Sequence, residues 1–154
     1  MRRSTDGVTL DGDAIETILR RSRTIAVLGI KPESRRELAA YWIPEYLASV
    51  GYEIVPVPVY YPEVVEILGT RVVRSLRELS RPDIVSVFRK PEHVAQHLDD
   101  LLALAPPVVW FQSGCLDLDA ARTLSSANID VVHDCIACRR AAIAPSTAPL
   151  DGQR

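Results

Sequence analysis

Thr24-Ile25-Ala26-Val27-Leu28-Gly29-Ile30 is a short, nearly unbroken apolar run with a glycine near its end. A strand with one wet face alternates apolar and polar residues, whereas a strand covered on both faces reads as a continuous apolar run. Four more runs of this second kind follow at residues 52–57, 83–88, 108–112 and 129–133, each closed by a turn signal. Longer segments of helical period separate them. The pattern predicts an α/β chain of Rossmann-like, doubly wound type, with a mainly parallel five-stranded sheet and helices on both faces.

The connecting segments carry local signals of their own. Pro91 suits a first helical turn, and Val94, Leu98, Leu101, Leu102 and Ala105 form one stripe beyond it. Asp117 reads as an N-cap and Asn128 as a terminator before the last strand. Ala39, Ile43, Tyr46, Leu47 and Val50 share a helical face, yet Pro44 lacks the amide an interior position needs. A late helix start or a kink is therefore expected there. Residues 61–79 read as a loop with a short extended piece around Val72 and one helical turn near Leu76. A helix over 11–21 is expected to open the fold, with Ile15, Ile18 and Leu19 on its apolar side. The domain is expected to span 13–143, between a flexible segment at 1–12 and a flexible tail at 144–154 rich in Pro, Ser, Thr and Gly.

With 154 residues and 47% hydrophobic content, the chain suits one well-buried core. A net charge of -2 gives no global attraction to nucleic acid or to an anionic membrane, so neither is expected as a partner. The start of the sequence reads as neither a secretory signal nor a membrane span, and a cytoplasmic location is expected. Its three cysteines, Cys115, Cys135 and Cys138, are too few for a secreted disulfide framework, so reduced thiols are the default.

In an open parallel sheet, ligands bind beyond the carboxyl ends of the strands. The loops there are 29–36, 56–61, 88–90, 112–115 and 133–138. They hold Lys31, Arg35, Arg36, Arg89 and Lys90, and Lys31 and Lys90 are the only lysines in the chain. On a net acidic protein this concentration points to an anionic small-molecule ligand, since guanidinium forks and ammonium groups both hold phosphate oxygens. Loops are polar in general and arginine is frequent throughout this chain, so the pattern also admits an ordinary solvated edge. Gly29 would let a ligand approach the first strand closely. The dinucleotide fingerprint needs three spaced glycines, and Gly29-Ile30-Lys31-Pro32-Glu33-Ser34 supplies only the first. The second strand ends in Pro56-Val57-Pro58, without the acid that would hold ribose hydroxyls in an NAD site. Gln112-Ser113-Gly114 offers an amide, a hydroxyl and a permissive backbone, as an ordinary strand-to-helix turn also would. Trp110 and Phe111 alternate within their strand and read as core.

Cys135-Ile136-Ala137-Cys138 has the spacing of a redox motif, but it follows the last strand instead of an early one. His133 and Cys115 do not complete two clean ligand pairs with it, and His93 and His97 lack a third partner, so no metal site is expected. No nucleophile elbow, P-loop, catalytic triad or paired-carboxylate motif stands out, and no catalytic residues are assigned. A binding module is the first expectation. The alternative is an enzyme, either an NAD-linked oxidoreductase or a thiol redox protein using Cys135 and Cys138.

Read together, Ile25-Ala26-Val27-Leu28-Gly29, Tyr41-Trp42-Ile43-Pro44-Glu45-Tyr46-Leu47, Gly51-Tyr52-Glu53-Ile54-Val55-Pro56-Val57, Val87-Phe88-Arg89-Lys90-Pro91-Glu92 and Val109-Trp110-Phe111-Gln112-Ser113-Gly114 resemble the stand-alone CoA-binding domain proteins of bacteria. That family is similar to the nucleotide-binding domain of succinyl-CoA synthetase, and most of its members have no demonstrated enzymatic activity. The resemblance implies coenzyme A or an acyl-CoA as ligand. It implies that Gly29, Ile30, Lys31, Arg35 and Arg36 face the ligand's phosphates, and that Val57, Phe88, Arg89, Gln112, Ser113 and Gly114 complete the cleft. Cys135 resembles the cysteine of the family's Asp-Arg-Cys closing motif, which implies a place near the cleft among the ligand-binding residues. Here the arginine of that motif is missing, Arg139-Arg140 replaces a downstream Glu-His, and Pro58-Val59 replaces an Asn-Pro pair, so the closing segment is expected to be remodelled.

Overall fold

The computed structural model describes residue 3 and residues 5–144. The expected tail lies outside the described residues except for Ala144. Five strands, β1 (Thr24–Leu28), β2 (Glu53–Val57), β5 (Ile84–Val87), β6 (Val108–Phe111) and β7 (Asp130–His133), form one parallel sheet in the order β2-β1-β5-β6-β7. Between β2 and β5 the chain makes a two-stranded antiparallel hairpin, β3 (Glu66–Ile67) with β4 (Thr70–Arg71), and then a 3-10 turn at Leu76–Glu78. Both features fall in the segment expected to be irregular, and the turn lies at the expected Leu76.

Successive residues of a strand point to opposite faces, and the core divides accordingly. Ile25, Val27, Ile54, Ile84, Val108, Trp110 and Val132 pack with α1 (Asp13–Arg21), α2 (Ala39–Ser49) and α6 (Ile136–Ala141). Ala26, Leu28, Val57, Val85, Val87, Val109, Phe111 and Val131 face the other way, toward α3 (Pro91–Val94), α4 (Leu98–Leu104) and α5 (Leu118–Ser126). Trp110 and Phe111 are both fully buried, one in each layer, as their alternation implied.

The local signals act as expected at three places. Pro91 starts α3, Asp117 Oδ1 accepts the amides of Asp119 and Ala120, and Asn128 adopts a left-handed φ of 65°. The long helix expected after Pro91 is instead wound tighter in its middle, as a 3-10 turn at Ala95–His97 between α3 and α4. Helix α2 does not start late. Pro44 lies inside it, and the carbonyl its missing amide would have bonded, that of Ala40, accepts the Lys31 amide at 3.1 Å. A loop donor from outside the helix thus replaces the bond that proline removes.

Both sheet edges are partly covered. Beside β7, the Leu10 amide donates to the Val131 carbonyl at 2.8 Å and Leu10 is buried, so the described part of the expected N-terminal segment lies against the sheet. Beside β2, the Val73 amide donates to the Pro56 carbonyl at 2.9 Å. At the amino end of the sheet, Asp83 Oδ2 accepts the amides of Arg23 and Thr24 at 2.7 and 3.1 Å. Those amides, the Arg23 one foremost, hold the Asp83 carboxyl below its ordinary value.

Two outcomes follow from these contacts. Asp83 binds its proton more weakly folded than unfolded, so its stabilisation is complete above the unfolded value and is lost as pH falls through the folded one. Urea unfolding should find Asp83→Asn weaker by about 1 kcal/mol at neutral pH, with the gap to wild type closing in acid. Pro44→Ala restores an amide that competes for the Ala40 carbonyl, and hydrogen exchange should then show the Lys31 amide exchanging faster while the α2 amides do not.

Candidate functional site

Strand order reverses between β1 and β5: the chain leaves β1 for β2 on one side and leaves β5 for β6 on the other. The loops after these two strands diverge and leave a crevice at their carboxyl ends. Gly29 sits at its floor with φ 87°, and a Cβ on it would lie 2.2 Å from the Phe88 carbonyl oxygen. The space that its missing side chain leaves is therefore taken by the neighbouring backbone, where the sequence alone had suggested a ligand.

Above that floor stands a cluster of cations and phenols. The Lys31 ammonium lies 4.9 Å from the ring centre of Tyr60 and 5.4 Å from that of Tyr61. The Arg89 guanidinium lies 5.4 Å from the Tyr60 ring, and its Nη1 donates to the Tyr60 hydroxyl at 3.3 Å. Its Nε donates to His97 Nε2 at 3.2 Å. Burial, followed by the charge of Arg89, holds the His97 imidazole below its ordinary value, which suits an acceptor nitrogen. The hydrogen bond from Arg89 likewise lowers the Tyr60 phenol.

Arg89 is only 7% exposed, and among the described residues no carboxylate lies within ion-pair reach of it. A buried guanidinium ordinarily has an anionic partner, because removing its charge from water is costly. Here its neighbours are a phenol and a neutral imidazole.

The loop that carries the tyrosines is held by one side chain. Arg74 donates to the carbonyls of Tyr60, Tyr61 and Val64 at 3.2, 2.9 and 2.6 Å. Tyr61 itself adopts a left-handed φ of 62°, a conformation a residue with a Cβ keeps only when its surroundings impose it.

Of the residues singled out from sequence, Gly29, Lys31, Phe88 and Arg89 meet at the crevice. Arg35 reaches it through a 3.4 Å contact with the Tyr61 hydroxyl while paired with Glu37 at 3.0 Å. Arg36 is exposed, with its Nε donating to the Glu33 carbonyl. The side chains of Ile30 and Val57 belong to the core on opposite faces. Gln112 is buried and used internally: its Nε2 donates to Ser86 Oγ at 2.9 Å, and its Oε1 accepts the Ile136 amide at 3.3 Å. Ser113 and Gly114 are exposed in the next loop, with Gly114 at φ 81°. Cys135 stands at the start of α6, joined to Cys138 in a disulfide, so the default of reduced thiols does not describe this pair. Sequence reading missed Tyr60, Tyr61, Arg74 and His97. The one available signal was a pair of adjacent tyrosines directly after the second strand.

A cavity of about 430 Å³ opens at the opposite, amino edge of the sheet, lined in part by Arg20, Arg21, Arg23, Tyr52 and Arg140. Arg20, Arg21 and Arg140 lie in the last turns of α1 and α6, where cations offset the partial negative charge of helix carboxyl ends. Helix-end charge accounts for that cluster, whereas among the described residues no carboxylate neutralises Arg89.

Comparison with known proteins bears on the same edge. A sequence model described as a CoA binding domain matches residues 23–141. The uncharacterized protein YneT of Bacillus subtilis (strain 168) is 35% identical over 121 residues, 78% of this chain and 86% of its own length. Among solved structures, cell-free ID.343 from Thermus thermophilus has 34% identity and a TM-score of 0.75, covering 85% of this chain and 98% of its own. A hypothetical protein from Pyrococcus horikoshii OT3 has 26% identity and a TM-score of 0.77, covering 92% and 96%. The family match takes in all five parallel strands and every loop at their carboxyl ends, and the chain belongs to the CoA-binding domain family.

Proposed function

We propose that residues 13–143 form a cytoplasmic binding module that holds coenzyme A, free or acylated, in the crevice between β1 and β5 without transforming it. The observation that carries this reading is the buried Arg89 guanidinium with no carboxylate beside it among the described residues. A phosphate of the ligand supplies the missing charge, and the planar fork of arginine suits two of its oxygens at once. Lys31 adds a mobile point charge 4.9 Å from the Tyr60 ring centre, and the half-exposed Tyr60 ring offers an apolar surface near both cations.

The same features speak against an NAD-linked oxidoreductase. Only Gly29 of the expected glycine series is present, and β2 ends on Val57 and Pro58 where an acid for the ribose would stand. The side chains that hydrogen-bond Arg89 are the Tyr60 phenol and His97, whose Nε2 accepts from it. Such a set suits a phosphate, and among the described residues no carboxylate pairs with Arg89.

Calorimetric titration with CoA, dephospho-CoA and NAD tests the assignment directly. CoA is expected to bind tightest, and Arg89→Ala to weaken it by about 1.5 to 3 kcal/mol, roughly tenfold to a hundredfold. Undiminished CoA affinity in a folded Arg89→Ala protein, or NAD binding more tightly than CoA, would overturn the reading.

A further inference from the structure

The contacts of Arg89, Lys31 and the tyrosines described above do not involve Cys135 or Cys138, yet the placement of this pair is specific. The two sulfurs are joined across a Cα separation of 5.3 Å, and the Cys138 amide donates to Cys135 Sγ at 3.2 Å. Cys135 thus caps α6 with its own sulfur while Cys138 lies one turn along. A disulfide that staples a fold closes a long loop and removes chain entropy from the unfolded state. This one closes a loop of sequence separation 3, which leaves almost no such entropy to remove.

The surrounding backbone is fixed independently of the sulfurs. Asp134 Oδ1 accepts the Cys135 amide at 2.7 Å, the Trp110 indole donates to the Asp134 carbonyl at 2.8 Å, and Gln112 holds the Ile136 amide. The pair can therefore open and close without moving the chain that carries it. Its two members differ in access: Cys138 is exposed, whereas Cys135 is half-buried against the core. The third cysteine, Cys115, is half-buried elsewhere, and burial pushes its thiol up.

We infer that Cys135 and Cys138 form a thiol–disulfide exchange site for low-molecular-weight thiols and their disulfides. The inference stands apart from the CoA reading. In the reducing direction, an incoming thiolate attacks the exposed Cys138 sulfur and forms a mixed disulfide with it. The Cys135–Cys138 bond breaks and its electron pair leaves on Cys135 Sγ, where the Cys138 amide already donates. A second thiolate attacks the small-molecule sulfur of the mixed disulfide, releasing a symmetrical disulfide and the Cys138 thiolate. Two protons complete the protein dithiol. In sum, two small thiols are oxidised to one disulfide and the protein disulfide is reduced by two electrons; the opposite direction runs through the same steps.

Glutathione is a suitable probe. The full chain is equilibrated in buffers of graded glutathione and glutathione disulfide, quenched in acid, alkylated and read by intact-protein and peptide mass spectrometry. Cys135 and Cys138 are expected to lose alkylation together in one transition while Cys115 retains it. In single variants, Cys135→Ser should accumulate a glutathione adduct on Cys138 several-fold more readily than Cys138→Ser does on Cys135. The wild-type titration decides the matter even if a variant fails to fold. Cys135 and Cys138 alkylated throughout, oxidation shared equally by all three cysteines, or separate adducts without the internal disulfide would each overturn the inference. A preference for Cys135 as the adduct site would overturn the assigned order of attack.

Discussion

The Phe88 carbonyl oxygen occupies the place where any side chain on residue 29 would have to stand. That contact brings the end of β1 within backbone distance of the end of β5, and the crevice depends on it. Any Cβ there would meet backbone, which cannot swing away as a side chain can. The next residue after Phe88 is Arg89, so the contact that forces a glycine also fixes where the guanidinium leaves the sheet. The site's main cation is thereby carried by strand geometry, while Lys31 and the tyrosines are carried by loops.

The loops after β1, β5, β6 and β7 are anchored at their bases by continuation of the sheet ladder. The Gly29 amide donates to Val57, that of Phe88 to Leu28, that of Gln112 to Val87 and that of Asp134 to Phe111. Each connection therefore begins with one residue still bound to the neighbouring strand. Further out, Arg74 and the Ala40 carbonyl restrain the two loops that bear Tyr60, Tyr61 and Lys31. A binding edge held in this way loses less freedom when a ligand orders it, which favours affinity.

Much of this architecture was legible in the sequence, because continuous apolar runs, Pro91, Asp117 and Asn128 act through their immediate neighbours. The five strands and the edge that bears the crevice follow from such signals. What was not legible depends on residues far apart in the chain. His97 matters only because a tighter turn sets it against Arg89, and Arg74 only because its three acceptors lie in one bend. Pro44 pointed to a late helix start or a kink, since nothing local reveals that Lys31 would supply the missing donor. The basic residues at the carboxyl edge could be counted from sequence, but the absence of a carboxylate beside Arg89 among the described residues could not.

The covered strands at the two ends of the sheet bear on how copies of the chain can meet. An uncovered outer strand presents a row of amides and carbonyls that a strand from another molecule can extend. On β2, Pro56 has no amide to offer and its carbonyl is held by Val73; on β7, the Val131 carbonyl is held by Leu10. A second molecule adding itself to either end would have to displace these segments first. Association through helix surfaces meets no such obstacle, so crowding of this protein should not readily turn its sheet into a growing one.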